Sequence, residues 1–404
     1  MLKYKKLGNQ FTYCGAHGFS SSLFLGLPKI KCVETWFENV ETYYIHKART
    51  GIHRALELLD LCDGDEVLIP SYNCGSEVDA LINGGAKVVP YRVDQYCNVD
   101  IADLISRITP KVKAIYIIHY FGFPQDINVI KNICGKFKLY LIEDCALSLF
   151  SNDNIGKLGT HGDISIYSFS KSLPVPDGGL LAINNLELKT NNWKLSSSNH
   201  YIIYNNIIKL TNIMFLRKYI PSGIAKKLYW FRYRLKKMEN KNGTFPEQYP
   251  EIPKDYFYNE YNNNKCISRL SKHIIKRIDY TYVIKQRRDN YTLYQKLLAD
   301  VDAIKPIFKD LPENVCPLYY PIIIRNRDDI CYELNKLSIS AISWWSGYHQ
   351  KIYWDNFPDA CYLKNNILVL PVHQDLTKSN IMYIIRKLKY IINKHKSTVD
   401  IGKI

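Results

Sequence analysis

The strongest constraint on the fold is a set of short, wholly apolar runs separated by stretches with helical spacing. Ala114-Ile115-Tyr116-Ile117-Ile118-His119 and Leu139-Tyr140-Leu141-Ile142-Glu143-Asp144 lack the polar alternation of a strand with one wet face. Residues 67–70, 87–91, 164–169 and 180–183 read as further strands. Residues 52–61, 101–108 and 127–137 read as the helices between them. Strands buried on both faces and alternating with helices require a mainly parallel sheet sandwiched by helices, the α/β class. The alternation stops near Asn184. Residues 271–298 then predict one long helix. A smaller α+β unit follows, with strands at 319–324 and 367–370 and helices at 330–337 and 380–392. The expected division is an irregular arm over 1–45, a large domain over 46–250, and the long helix with a small C-terminal domain over 251–404.

Composition narrows the partners. The 404 residues are enough to bury their own cores. No stretch of 18 apolar residues free of charge occurs, so no membrane span is expected. The basic start, Met1-Leu2-Lys3-Tyr4-Lys5-Lys6, is not followed by the apolar core of a secretory signal. Eleven cysteines include no CxxC pair. Reduced thiols in a cytoplasmic protein are therefore expected, rather than a disulfide framework or a metal site. The charge of +16 favours anionic partners. Much of it lies in 201–238, which has nine Lys or Arg, no Asp or Glu, and interleaved aromatics. That segment reads as a solvated face, a surface lying peripherally on the inner membrane leaflet, or a positive wall for a nucleotide diphosphate. Nothing beside it resembles a nucleic-acid-binding motif.

In open α/β sheets ligands sit beyond the carboxyl ends of the strands. His119, Asp144 and Ser168-Phe169-Ser170-Lys171 fall at such ends. Asp144 closes an apolar strand and needs a cationic partner there. Lys171 follows a buried strand and precedes Pro174, Pro176 and Gly178-Gly179. It is thus an amine in a rigid loop, suited to attack a carbonyl. Thr50-Gly51-Ile52 reads as a helix start able to take a phosphate on free N–H groups. These parts describe a receptor for a phosphorylated, cationic ring bearing an aldehyde, which is pyridoxal 5′-phosphate (PLP). His119 reads equally as a core histidine satisfied by backbone or as a contact in this site.

The motifs also come in a familiar order. Gly64-Asp65-Glu66-Val67-Leu68-Ile69-Pro70-Ser71-Tyr72, Gly84-Gly85-Ala86 and Ile108-Thr109-Pro110-Lys111 lead to His119-Tyr120-Phe121-Gly122-Phe123-Pro124. Ile142-Glu143-Asp144-Cys145-Ala146, Gly162-Asp163, Lys171, Asp177-Gly178-Gly179 and Leu370-Pro371-Val372-His373-Gln374-Asp375-Leu376-Thr377 complete it. Over roughly 46–183 and 265–395 the chain resembles the DegT/DnrJ/EryC1/StrS family of PLP-dependent sugar aminotransferases, of fold type I. The resemblance implies that Lys171 joins the cofactor aldehyde and later moves the proton. It implies that Asp144 pairs with the ring nitrogen, and that Ser168 and the backbone of Thr50, Gly51 and Ile52 hold the phosphate. Tyr72 or Cys74 would cover a ring face, with His119 nearby. It further implies a homodimer with shared sites, an amino-acid donor such as glutamate, and a nucleotide-linked keto sugar as acceptor for surface glycan synthesis.

Four features depart from the family pattern. Ser168 to Lys171 spans four residues where the family has six, the shorter form being that of aspartate aminotransferases. Leu147 replaces the Gln or His found three residues after the aspartate. Cys74 replaces the stacking aromatic, and the asparagine usually lent by the partner subunit aligns near Ile267, with Asn262, Asn263 and Asn264 close by. The alternatives are a PLP enzyme acting on another carbonyl substrate or catalysing elimination, and a non-catalytic binding protein of the same fold.

Overall fold

The computed structural model describes residues 26–188, 193–197, 203–208 and 251–401. The expected apolar runs form a seven-stranded sheet: β1 (Glu41–Ile45), β2 (Glu66–Pro70), β3 (Lys87–Tyr91), β4 (Val112–Ile118), β5 (Tyr140–Asp144), β6 (Ile164–Ser168) and β7 (Gly179–Ile183). Their order is β1-β7-β6-β5-β4-β2-β3. β2 to β6 are mutually parallel, while β7 and β1 run antiparallel at one edge. Every residue of β2, β5's last four residues, β6 and β7 are buried, as continuous apolar composition requires. Helices Ala48–Leu58, Ser76–Asn83, Ile101–Ser106 and Ile127–Phe137 connect and cover the sheet. Asp100 and Asp126 cap the last two by accepting from the N–H groups of Asp103 and Val129.

A second sheet of four strands has the order β11-β13-β10-β9. It comprises β9 (Lys305–Pro306), β10 (Tyr319–Ile323), β11 (Ile342–Ser343) and β13 (Ile367–Pro371). A two-stranded sheet pairs β8 (Glu251–Ile252) with β12 (Tyr348–His349). Helices Arg327–Lys336, Pro358–Asn366 and Lys378–Ile401 belong to this part of the chain. The apolar clusters of the two larger sheets merge into one core.

Three expectations need correction. Residues 33–45 are not irregular: Val33–Trp36 is helical, and β1 pairs along its whole length with β7. The helix expected over 271–298 is two helices, Arg269–Ile275 and Tyr280–Leu298. Ser268 caps the first, and Asp279 caps the second by accepting from the N–H groups of Thr281 and Tyr282. The first helix of the large sheet begins at Ala48, a turn earlier than the Thr50-Gly51 pair suggested, because Ala48 and Arg49 are themselves good helix formers.

Two buried cations join the sheets by gripping main-chain oxygens. Arg287, on Tyr280–Leu298, donates to the carbonyls of Pro317 (3.1 Å), Leu318 (3.1 Å) and Ser172 (2.8 Å), and to Gln374 Oε1 (3.2 Å). Lys364, fully buried, donates to the carbonyls of Asn73 (2.8 Å), Trp345 (3.1 Å) and Gly347 (2.7 Å). Three donors meeting three acceptors is the full capacity of an ammonium. Burial pushes Lys364 down to about 7, and the nearby Glu77 carboxylate works against that shift.

Asp177 forms the third joint. Its carboxylate accepts from His46 Nδ1 (3.0 Å), the Ser268 N–H (2.9 Å), and the hydroxyls of Ser268 and Ser271. Burial opposes ionisation here, but these bonds outweigh it and hold the carboxyl below its ordinary range. Asp79 and Glu143 are held low in the same way, by His349 with two N–H groups and by His119 with its neighbours. The folded state therefore sheds protons that the unfolded chain keeps. Stabilisation by these groups is complete above about pH 4 and declines as pH falls through the folded values. Asp177→Asn is expected to flatten this acid limb in urea midpoints measured against pH. Asp177→Ala is expected to cost about 3 kcal/mol at neutral pH, because four donors lose their acceptor.

Candidate active site

The register of the sheet assembles the site. Ile118 pairs with Asp144, Asp144 with Ile166, Ser168 with Gly179, and Gly179 with Ile45. The carboxyl ends of β4, β5 and β6, the start of β7 and the end of β1 thus share one edge. Gly179 permits the crowding there: a Cβ on it would stand 2.8 Å from both the Ala48 nitrogen and the Tyr167 carbonyl oxygen. A cavity of about 390 Å³ opens at this edge. Asp144, Ser168, Lys171 and Ile52 line it together with Lys47, Ala48, Arg49, Ser76, Glu77 and Asn206.

Lys171 lies on the short helix Phe169–Ser172 that continues β6, so its amine is carried directly off a strand end. The carbonyl of Ser172 is the one held by Arg287, which fixes the helix from behind. Asp144 is buried, with Oδ1 accepting from the Ala146 N–H (2.8 Å) and Oδ2 from the Tyr116 hydroxyl (2.7 Å). Burial raises its pKa, and the charge of Glu77 raises it further. Lys171, Tyr116 and the Ala146 N–H pull the other way. In this protein the carboxylate is thus short of positive charge, which is the condition that a cationic ring relieves.

Helix Ala48–Leu58 points its first turn at the cavity. Ala48 and Arg49, whose N–H groups a helix start leaves without intrahelical partners, line the cavity. Thr50 and Gly51 do not serve this purpose. The Thr50 N–H already donates to the Lys47 carbonyl (3.0 Å) and its hydroxyl to the Asn262 carbonyl (3.0 Å), while Gly51 packs on Ile45 and Ile166. Ile52 alone of that triplet reaches the cavity wall.

His119 is a core residue. It is wholly buried, accepts the Gln125 N–H at Nδ1 (3.1 Å), and so donates from Nε2 to Glu143 (3.0 Å). Glu143 also accepts from the N–H groups of Gly159, His161 and Gly162. His119, Glu143 and Cys145 offer ligand atoms within 4.8 Å of one another. The imidazole and carboxylate are already spent on these hydrogen bonds.

Tyr72 is likewise out of the cavity. Its ring packs between Tyr120 (centroids 5.6 Å) and Trp345 (5.3 Å). The Cys74 thiol donates to Glu77 Oε2 (2.8 Å), and burial pushes its pKa up to about 12. Leu147 is buried in the main core. Ile267 packs against the position a Gly178 Cβ would take, and Asn262 and Asn263 give their carbonyls to Thr50 and Arg54. The segment 201–238 lies outside the described residues except for 203–208, of which Asn206 reaches the cavity.

Sequence reasoning missed Glu77, Arg49 and Tyr116. Glu77 sits one turn beyond the Tyr72-Asn73-Cys74 loop, in a helix that spacing did not reveal. Its signal was an acidic residue in the first turn after Gly75, which adopts φ +87° as the helix cap.

The geometry agrees with the comparisons. The model of the DegT/DnrJ/EryC1/StrS aminotransferase family matches residues 43–200 and 259–389. The chain belongs to that family and is an aminotransferase by that membership. It is 23% identical over 371 residues to an uncharacterized protein of Methanocaldococcus jannaschii, covering 87% of this chain and 86% of that one. It is 31% identical over 199 residues to the GDP-perosamine synthase of Vibrio cholerae, a match spanning 47% of this chain and 48% of the synthase. Among solved structures, the PMP form of a Streptococcus pneumoniae protein assigned as a sugar aminotransferase superposes with a TM-score of 0.66 at 17% identity, covering 96% of this chain and 99% of that one.

The raised pKa of Asp144 has a consequence for stability. Its folded form keeps a proton that the unfolded chain releases, so its contribution is present at low pH and is lost as pH rises through the folded value. Asp144→Asn in the ligand-free chain is expected to raise the melting temperature at neutral pH, by about 1 °C in a chain of this length. The gain should vanish near about pH 4, which calorimetry at both pH values would check.

Proposed function

We propose that this chain is a PLP-dependent aminotransferase acting on a nucleotide-linked keto sugar, with an amino acid such as glutamate as donor. The observation that carries the reading is one cavity holding an amine at the end of β6, a charge-starved buried carboxylate at the end of β5, and the open N–H groups of a helix start. These are the three features a phosphorylated, cationic, aldehyde-bearing ring requires, and the residues fit that group. Similarity to a GDP-perosamine synthase supports the nucleotide-sugar class of acceptor.

When bound, PLP supplies an electron sink for the carbon that loses its proton. Asp144, steadied by the Tyr116 hydroxyl and the Ala146 N–H, would hold the ring nitrogen in its protonated state. Ser168 and the N–H groups of Ala48 and Arg49 receive the phosphate. Lys171 Nζ would hold the cofactor at its aldehyde carbon and, as a free amine, would accept and return the substrate proton. Ile52 and Ala146 present apolar surface that limits water at the ring.

A homodimer with shared cavities and a cytoplasmic location accompany this reading as further proposals. The cations of 201–238 support contact with an anionic membrane surface, which sedimentation with anionic and neutral liposomes would test. Borohydride reduction of the PLP-loaded protein followed by peptide mass spectrometry is expected to find the adduct on Lys171. Recovery on another lysine, or no adduct at saturating PLP, overturns the assignment. Asp144→Asn is expected to retain PLP but to lower turnover by about a hundredfold or more, since the ring nitrogen loses its ionic partner in a buried site.

A further inference from the structure

Arg49 is a half-buried cation on the wall of the large cavity, and its side chain has no role in the chemistry above. Nη1 donates to the Phe257 carbonyl, and the guanidinium carbon stands 5.4 Å from the centre of the Phe257 ring. Neither partner carries a charge. Nε and Nη2 have no hydrogen-bond partner among the described residues, and no carboxylate there pairs with them. Other arginines are spent. Arg54, Arg107 and Arg327 each meet a carboxylate, and Arg287 commits all three nitrogens to oxygen acceptors. A planar fork with two nitrogens open, partly sheltered from water, suits an anion.

The backbone locates that anion. Lys47 is the cap of helix Ala48–Leu58, so Arg49 is its second residue. Side chains on a helix tilt towards its N-terminus, and this one therefore reaches back over the opening turn. That turn lies against the end of β6. Ser168 pairs with Gly179, and a Cβ on Gly179 would stand 2.8 Å from the Ala48 nitrogen. Ser168, the helix start and Arg49 thus border one end of the cavity. Arg49 and Ser76 also line a smaller cavity walled by Phe257 and Tyr258, so the two residues form the partition between the cavities.

The perch is fixed from outside. Asp79 accepts from the N–H groups of Phe257 (2.9 Å) and Asp255 (2.9 Å) and from His349 Nε2 (3.0 Å). The His349 Nδ1 takes the Lys351 N–H (3.2 Å), so the proton on Nε2 is the one donated. The Phe257 carbonyl is therefore held still, and with it the guanidinium.

We propose that the Arg49 side chain is a ligand of the cofactor's 5′-phosphate, adding a forked cation to the Ser168 hydroxyl and the N–H groups of the helix start. This rests on the PLP reading and extends it to a side chain that neither the motifs nor the comparisons single out. A phosphate monoester carries about two negative charges at neutral pH. Hydroxyl and N–H donors alone leave that charge uncompensated, whereas a guanidinium neutralises part of it and meets two oxygens at once.

The test uses the full chain stripped of cofactor and two probes that lack the aldehyde and so cannot bond to Lys171. One is 4′-deoxypyridoxine 5′-phosphate, and the other is 4′-deoxypyridoxine, which differs only by the phosphate. Wild type is expected to prefer the first. Arg49→Gln is expected to weaken the first about tenfold or more and the second less than twofold, the signature of a charge-assisted contact to the phosphate. Binding of the second probe reports that the variant cavity is folded, and Arg49→Lys is expected to recover part of the preference. The phosphorus NMR resonance of the bound phosphate, followed against pH, gives a second reading. Arg49 favours the dianion, so Arg49→Gln is expected to move its titration to higher pH. Equal loss on both probes, or none on either, overturns the inference and leaves the cofactor reading standing. A loss seen only with GDP assigns the guanidinium to the acceptor's diphosphate and likewise overturns it. Wild type binding neither pyridine probe overturns both.

Discussion

The site depends on strand register at one sheet edge. Asp144, Ser168, Gly179 and Ile45 come side by side because β5, β6, β7 and β1 are aligned residue by residue. A slip of one residue in β6 would turn Ser168 to the opposite face and re-aim the helix that carries Lys171. The buried apolar pattern on both faces is what forbids such a slip. The antiparallel pair β7 and β1 then returns the chain to the same edge, so that helix Ala48–Leu58 opens opposite the end of β6. Chemistry-bearing residues far apart in sequence meet through backbone pairing alone.

Electrostatics at that edge are divided by function. Asp177, Asp79 and Glu143 are surrounded by donors and stabilise the fold as anions. Asp144 is left with two donors and an anionic neighbour, and it destabilises the ligand-free protein when ionised. The same residue type thus serves as joint or as receptor according to how many hydrogen bonds the surrounding chain supplies.

Much of the large sheet was legible because its strands are continuous apolar runs, and helix Ile127–Phe137 was legible to the residue. Lys171, Asp144 and Ser168 could be placed because strand ends are where such a sheet binds ligands. Helix Ser76–Asn83 was not legible: eight residues carrying Glu77, Asp79 and Asn83 give little periodicity, and Gly75 in a left-handed conformation caps it in place of a polar side chain. His119 read equally as a core residue or as a site contact, for another reason. A histidine and a glutamate from adjacent strands satisfy each other, and only the three-dimensional register brings Glu143 to it. Tyr72 was misplaced because its ring joins an aromatic stack with Tyr120 and Trp345, a contact between distant parts of the chain.

Arg287 and Lys364 illustrate how such an assembly tolerates divergence. Their partners are mostly main-chain carbonyls, those of Ser172, Pro317, Leu318, Asn73, Trp345 and Gly347. A carbonyl is present whatever side chain the residue bears. Beside the shared apolar core, the seam between the two sheets is thus gripped through backbone, and a substitution at a residue that supplies one of these carbonyls need not loosen the hold on the lysine-bearing helix.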